Sequence, residues 1–86
     1  MNQSIDRFDV GLLLTLDALL KDLNVTHAAG RLNITQSALS ARLTRLRHLL
    51  NDPLFLPAAS GRGMTPTPHA SALQPELSRL IEQFTG

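Results

Sequence analysis

The chain has 86 residues, of which 43% are hydrophobic but only 3% aromatic, and it has no cysteine. That is room for one small domain with an aliphatic core, and it excludes a disulfide framework and a thiolate metal site. The formal net charge of +1 excludes neither a nucleic-acid nor a protein partner, because the distribution of charge says more than its sum.

The first ten residues carry Asp6, Arg7 and Asp9, which is not the basic-then-apolar order of a secretory leader. No apolar run approaches the ~20 residues of a membrane span, so the expectation is a cytoplasmic protein with no membrane partner. Residues 1–8 read as a frayed start anchored by Phe8, and Asp9 as the cap of a helix from Val10 to about Asp22. Leu13, Leu16, Leu20 and Leu23 give its buried stripe, widened by Leu12 and Leu19. This helix reads as scaffold, with Asp17 and Lys21 in water.

From Asn24 to Leu50 the sequence predicts two helices joined by a tight turn. Asn24 is a good N-cap, since its side chain accepts from an otherwise unpaired backbone N–H. Ala28, Ala29 and Leu32 form a small, close-packing face, and Asn33 tolerates the left-handed conformation that ends a helix. Thr35 caps the next helix, with Ile34 and Leu39 at the two positions of a hydrophobic staple. Leu39, Leu43, Leu46 and Leu50 then recur at helical spacing. A turn of about three residues between two short helices is the helix-turn-helix signature, in which the second helix enters the DNA major groove. Opposite the leucine stripe lie Ser37, Ala41, Thr44, Arg45 and His48; Gln36, Ser40 and Arg47 fall on one flank and Arg42 on the other. The early residues are short and polar, suited to base edges, and the later ones basic, suited to phosphates.

After Leu50, the order Asn-Asp-Pro stops the helix at Pro53. Leu54, Phe55 and Leu56 predict a short strand, with Phe55 in the core, and Met64–Thr65 a return strand. The Gly-rich tip between them carries Arg62 between two glycines. Two short strands after a helix-turn-helix make a wing, and an arginine at its tip suits a minor groove. Thr67 as N-cap and Pro68 at the first helical position open a last helix. Its stripe of Leu73, Leu77, Leu80, Ile81 and Phe84 either folds back on the core or pairs with a second chain. Pro75 inside it predicts a kink or a break. From Leu23 through Pro75 the sole acid is Asp52, against Arg31, Arg42, Arg45, Arg47 and Arg62: five arginines and one aspartate, a local excess of four positive charges. Such a one-sided basic middle suits a phosphate backbone.

Thr-Gln-Ser-Ala-Leu-Ser at 35–40, Asp-Pro-Leu-Phe at 52–55 and Gly-Arg-Gly-Met-Thr-Pro-Thr-Pro at 61–68 resemble the N-terminal DNA-binding domain of LysR-type transcriptional regulators, most of all the branch of nodulation and aromatic-degradation regulators. The resemblance runs from Phe8 to Phe84. It implies a mostly α fold: a winged helix-turn-helix at 1–66 with a short two-stranded wing, then a linker and dimerisation helix at 67–86. It also implies that promoter DNA is bound by dimers or tetramers, and that a small inducer acts only through an effector domain. No segment here is left over for such a domain, so the chain as it stands is expected to bind DNA without sensing.

On the same resemblance, Gln36, Ser37, Ser40 and Ala41 stand at base-contacting positions, with Arg42 next door as a substitute for a missing base-reading arginine. Thr35, Thr44, Arg45 and His48 stand towards the phosphates, and Arg62 where the wing arginine does. Leu73, Leu77, Leu80, Ile81 and Phe84 would form the dimer seam. Three departures stand out. Ser37 replaces a usual proline and Ala41 a frequent arginine, and Leu56-Pro57-Ala58-Ala59-Ser60 replaces a shorter segment that carries an arginine. An alanine methyl cannot read guanine but can touch a thymine methyl.

No enzyme, metal or cofactor is expected. His27, His48 and His69 are far apart in sequence, without metal-ligand spacing, and Ser60-Gly-Arg-Gly is too short for a nucleotide-phosphate loop. The alternative is a helical interaction module that pairs through the last helix without touching DNA.

Overall fold

The computed structural model describes residues 10–85, with side chains through Gln83; the expectations for Phe8, Asp9 and the Phe84 side chain lie outside the described residues. Four helices and one two-stranded sheet follow in order: α1 (Val10–Asp22), α2 (Val25–Leu32), α3 (Gln36–Leu50), β1 (Phe55–Pro57), β2 (Met64–Pro66) and α4 (Pro68–Thr85). This is the mostly α, winged helix-turn-helix architecture that the pattern predicts. No helix among the described residues is long and apolar enough to cross a membrane.

Helix α1 is the centre of the packing: α2, α3 and α4 all lie against it. Leu12, Leu13, Leu16, Leu19 and Leu20 are buried, and so are Thr15, Asp17 and Ala18. Each leucine taken fully from water contributes about 1.5–3 kcal/mol. Enclosure on nearly every side corrects the expectation for Asp17. The residue is only 7% exposed, and its carboxylate sits 3.0 Å from the Lys21 ammonium one turn on. Of the pair, Lys21 reaches solvent, its side chain 50% exposed. Thr15 avoids an orphaned hydroxyl by donating to the Gly11 carbonyl at 2.8 Å.

The two-helix unit is built from local signals. The Asn24 side chain accepts from the His27 N–H at 3.0 Å, and Thr35 accepts from the Ala38 N–H at 3.0 Å, which satisfies donors that each helix start leaves open. Asn33 takes φ 58°. The N–H groups of Asn33 and Ile34 then donate back to the Gly30 and Ala29 carbonyls, the paired closure of a Schellman motif. Ile34 is half-buried against the core, so one residue closes α2 and introduces α3. Ala28 and Ala29 are buried, and their small size lets α2 approach α1 and α3.

The wing pairs antiparallel, with Phe55 opposite Pro66, Leu56 opposite Thr65 and Pro57 opposite Met64. Each strand lies within a residue of its expected place, and Phe55 is buried as expected. The wing is tied to the end of α1: the Met64 N–H donates to the Leu23 carbonyl at 2.9 Å. Leu23 itself is left-handed, φ 50°, and so is the buried Leu54, φ 66°.

Helix α4 folds back on α1. Ala70 and Leu77 are buried, while Leu73 and Ile81 are partly buried against the core. This corrects the expectation that Leu77 is a dimer residue: at 4% exposure it is already covered by its own chain. The helix is also unbroken across Pro75. The proline removes the N–H that would serve the Ser71 carbonyl, but both residues are exposed, so the lost bond falls on the solvent side of the helix and not in the core.

Two glycines give contrasting expectations. A Cβ on Gly63, φ +68°, would lie 2.7 Å from the Leu23 carbonyl oxygen, whereas one on Gly30 meets nothing within 4 Å. In urea unfolding, Gly63→Ala should lose about 1–3 kcal/mol. Gly30→Ala, inside α2, should gain up to about 1 kcal/mol. A loss of similar size at both positions would show that the contact with Leu23 is not what Gly63 protects.

Candidate nucleic-acid interface

Burial of Leu39, Leu43 and Leu46 fixes which side of α3 meets water. Gln36, Ser37, Ser40, Ala41, Thr44, Arg45 and His48 are all exposed, one continuous and mostly polar face of a little over ~3 turns at 3.6 residues per turn. Its first turn carries no acid, so the positive end of the helix dipole is left unneutralised there. Thr35, at the N-cap, is exposed as well. Arg62 stands at the wing tip, where Gly61 and Gly63 take φ +83° and +68° and the Arg62 N–H donates to Ser60 Oγ.

The five arginines of the basic middle do not act alike. Arg31 holds Asp22 through two bonds, at 2.9 and 2.8 Å, a fork geometry that matches a carboxylate. That hydrogen bond, and then the guanidinium charge, hold the Asp22 carboxyl below its ordinary range, and Asp22 in turn raises Arg31. Arg47 donates to the Pro53 carbonyl at 2.7 Å and to that of Phe55 at 3.2 Å. Arg42 departs from the expected base-facing role. It is half-buried and turned towards α1, where its guanidinium donates to Thr15 Oγ1 at 3.3 Å and the Gly11 carbonyl at 3.5 Å. The flank of α3 that carries it faces α1 rather than the open side. Among the described residues, Arg45 and Arg62 are the members of the five whose side chains make no such bond.

A second set of contacts holds the wing to the end of α3. Asp52 Oδ2 accepts from the Leu54 N–H at 2.8 Å and from the Thr67 hydroxyl at 2.7 Å. Thr67 also caps α4, accepting from the Ala70 N–H at 3.1 Å, and its own N–H donates to the Leu54 carbonyl at 2.9 Å. Leu54 is thus held from both sides in a left-handed conformation that a branched residue seldom adopts. The Thr67 hydroxyl, the Leu54 N–H and the nearby His69 keep the Asp52 carboxyl below its ordinary range. His69 Nδ1 lies 3.8 Å from it.

Three contributors escape a reading of the sequence. Asp52 ahead of Pro53 and Leu54 fits a local side-chain turn, a signal that was available. Arg47 carries no such mark. Thr26, at the start of α2, accepts from Gln36 Nε2 at 3.0 Å, and only the folded angle between α2 and α3 brings the two together.

Comparison with known proteins bears on the family and the fold. The sequence pattern of bacterial regulatory helix-turn-helix proteins of the lysR family matches residues 10–71. The HTH-type transcriptional regulator SyrM 1 of Sinorhizobium fredii is 40% identical over 84 residues, 98% of this chain and 24% of that protein. Nodulation protein D 1 of Bradyrhizobium japonicum is 46% identical over 73 residues, 85% of this chain and 22% of that protein. The chain therefore spans about a quarter of the length of these curated relatives. A probable transcriptional regulator from Pseudomonas aeruginosa superposes with a TM-score of 0.86 at 40% identity, covering 93% of this chain and 26% of that one.

Asp52 has a folded pKa below its unfolded one. Its stabilisation is therefore whole above the unfolded carboxylate value, near ~3.9, and is lost as pH falls through the folded value. Wild type should lose urea resistance between about pH 5 and pH 2, and Asp52→Asn, which keeps an acceptor but no titration, should lose less over that window. An acid profile identical in the two proteins would remove Asp52 from the account of the wing.

Proposed function

Because the chain belongs to the lysR family of bacterial regulatory helix-turn-helix proteins, we propose that it binds double-stranded DNA in a sequence-specific manner as the DNA-binding part of a transcriptional regulator. Helix α3 lies in the major groove. Gln36, Ser37 and Ser40 meet base edges, and the Ala41 methyl meets a thymine methyl. Thr35, Thr44, Arg45 and His48 meet phosphates, and Arg62 approaches the minor groove. Arg42 is not among them, since its guanidinium is engaged with α1. The observation that carries this reading is the single exposed polar face of α3, held outward by Leu39, Leu43 and Leu46. A helical interaction module without DNA binding leaves that face and Arg62 without a purpose.

Two chains pair through α4, and the seam centres on Leu80, which is 44% exposed, flanked by Leu73 and Ile81. Leu77 supports the helix from beneath. The protein acts on promoter DNA in a bacterial cytoplasm, and any inducer acts through an effector domain in a longer chain.

Duplex affinity should fall by ~0.9 log units per log unit of salt for each phosphate neutralised. Arg45→Ala and Arg62→Ala should each lower that slope by about 0.9, while Arg31→Ala, whose charge is already met by Asp22, should change it least. Affinity that ignores salt in the wild type would overturn the DNA reading. For the dimer, Leu80→Glu should shift sedimentation towards a monomer with an unchanged melting temperature. Leu77→Glu should instead unfold the chain, because it places a charge in the core. A dimer that survives Leu80→Glu would rule out this seam.

A further inference from the structure

We propose that Thr26 is a positioning residue that turns the Gln36 amide into a reader of adenine. The inference rests on the DNA-binding reading above and goes beyond it by naming the base. Gln36 Nε2 donates one hydrogen to Thr26 Oγ1 at 3.0 Å. Both residues are exposed, and each stands in the first turn of its helix, Thr26 in α2 and Gln36 in α3. The bond therefore spans the two arms of the helix-turn-helix and lies at the end of α3 that meets base edges.

The consequence follows from counting donors and acceptors. A glutamine amide has two N–H donors and one carbonyl acceptor. With one N–H held by Thr26, the groove is offered one N–H and the Oε1 acceptor, side by side and in fixed orientation. In the major groove adenine presents an acceptor, N7, next to a donor, the N6 amine. It pairs with both remaining groups. Guanine presents two acceptors, O6 and N7, and can use only the one free N–H. Thymine O4 takes that N–H alone, and the cytosine amine engages Oε1 alone. Adenine is the base that leaves no polar group of this amide unpaired.

Thr26 plays a further part through its own hydrogen. The hydroxyl accepts from Gln36, so its O–H stays available to donate to a phosphate oxygen. Phosphate, hydroxyl and amide then form one chain of hydrogen bonds, which strengthens each member. The register set by the backbone contact is passed to the base contact. Thr26 reads no base itself.

The test is a selection of bound sites from a pool of duplexes with randomised sequence, carried out with wild type, Gln36→Ala, Thr26→Val and Thr26→Ser. Wild type should enrich adenine in one column per half-site. Gln36→Ala should reduce that preference by roughly 5- to 150-fold, the range of one bidentate base contact. Thr26→Val removes the acceptor at nearly constant shape and should reduce the same column by about two- to tenfold, the effect of freeing a flexible side chain at an interface. The other columns should keep their order. Thr26→Ser restores the acceptor and should restore the column. A lost phosphate contact alone would weaken all sequences equally and leave every column intact. The proposal is overturned if Thr26→Val leaves the column unchanged, if Thr26→Ser fails to restore it, or if the column that depends on Gln36 holds a base other than adenine. Salt-dependent binding with no column that depends on Gln36 would overturn the proposal and spare the DNA reading. A wild type that enriches nothing and binds no duplex would overturn both.

Discussion

Burial of α1 on nearly all sides is the constraint from which the rest of the structure follows. Leu12, Leu16 and Leu19 are within 2% of complete burial. A helix so enclosed needs apolar surface from every neighbour, and each neighbour supplies one stripe: Ala28 and Ala29 from α2, Leu39, Leu43 and Leu46 from α3, Ala70 and Leu77 from α4. Once α3 has given its leucines to the core, its polar residues have nowhere to go but outward. The face proposed for the major groove is thus a by-product of hydrophobic packing, and its rigidity comes from the same leucines.

Packing also sorts the cations. Arg31 is engaged by a carboxylate, Arg42 by groups of α1, and Arg47 by carbonyls ahead of the wing. The guanidinium of Arg47 bridges the last turn of α3 to Pro53 and Phe55, which ties the first strand of the wing to the recognition helix. Of the five arginines, Arg45 and Arg62 remain free among the described residues, one cation on the helix and one on the wing. That division suits two different grooves or strands of a duplex better than a single dense patch.

The wing is held by strain that its surroundings offset. Leu23 and Leu54 both adopt left-handed backbone, which is unfavourable by about 1–2 kcal/mol for a residue with a side chain. Each is pinned by hydrogen bonds: Met64 to the Leu23 carbonyl, and Asp52 and Thr67 to the two ends of Leu54. Thr67 belongs to the cap of α4, so the strained turn, the wing and the last helix share one polar junction. A change in any of the three is felt by the others.

The two-helix unit was legible in the sequence because its determinants act over three or four residues. Asn24, Asn33 and Thr35 do in the fold what their short polar side chains dictate, and the leucine periodicity alone names the outward face of α3. The helix bounds of α1 and the start of α4 at Thr67 and Pro68 were legible for the same reason. Tertiary structure decided what depends on distant partners. Arg42 meets Gly11 and Thr15 across 31 and 27 positions of chain. Asp17 is buried because three helices surround α1, not because of anything beside it. Leu77 is claimed by its own core while Leu80, three residues on, is left in water. Periodicity marks a stripe as apolar, but only the packed arrangement divides that stripe between the chain's own interior and a surface still open to a partner.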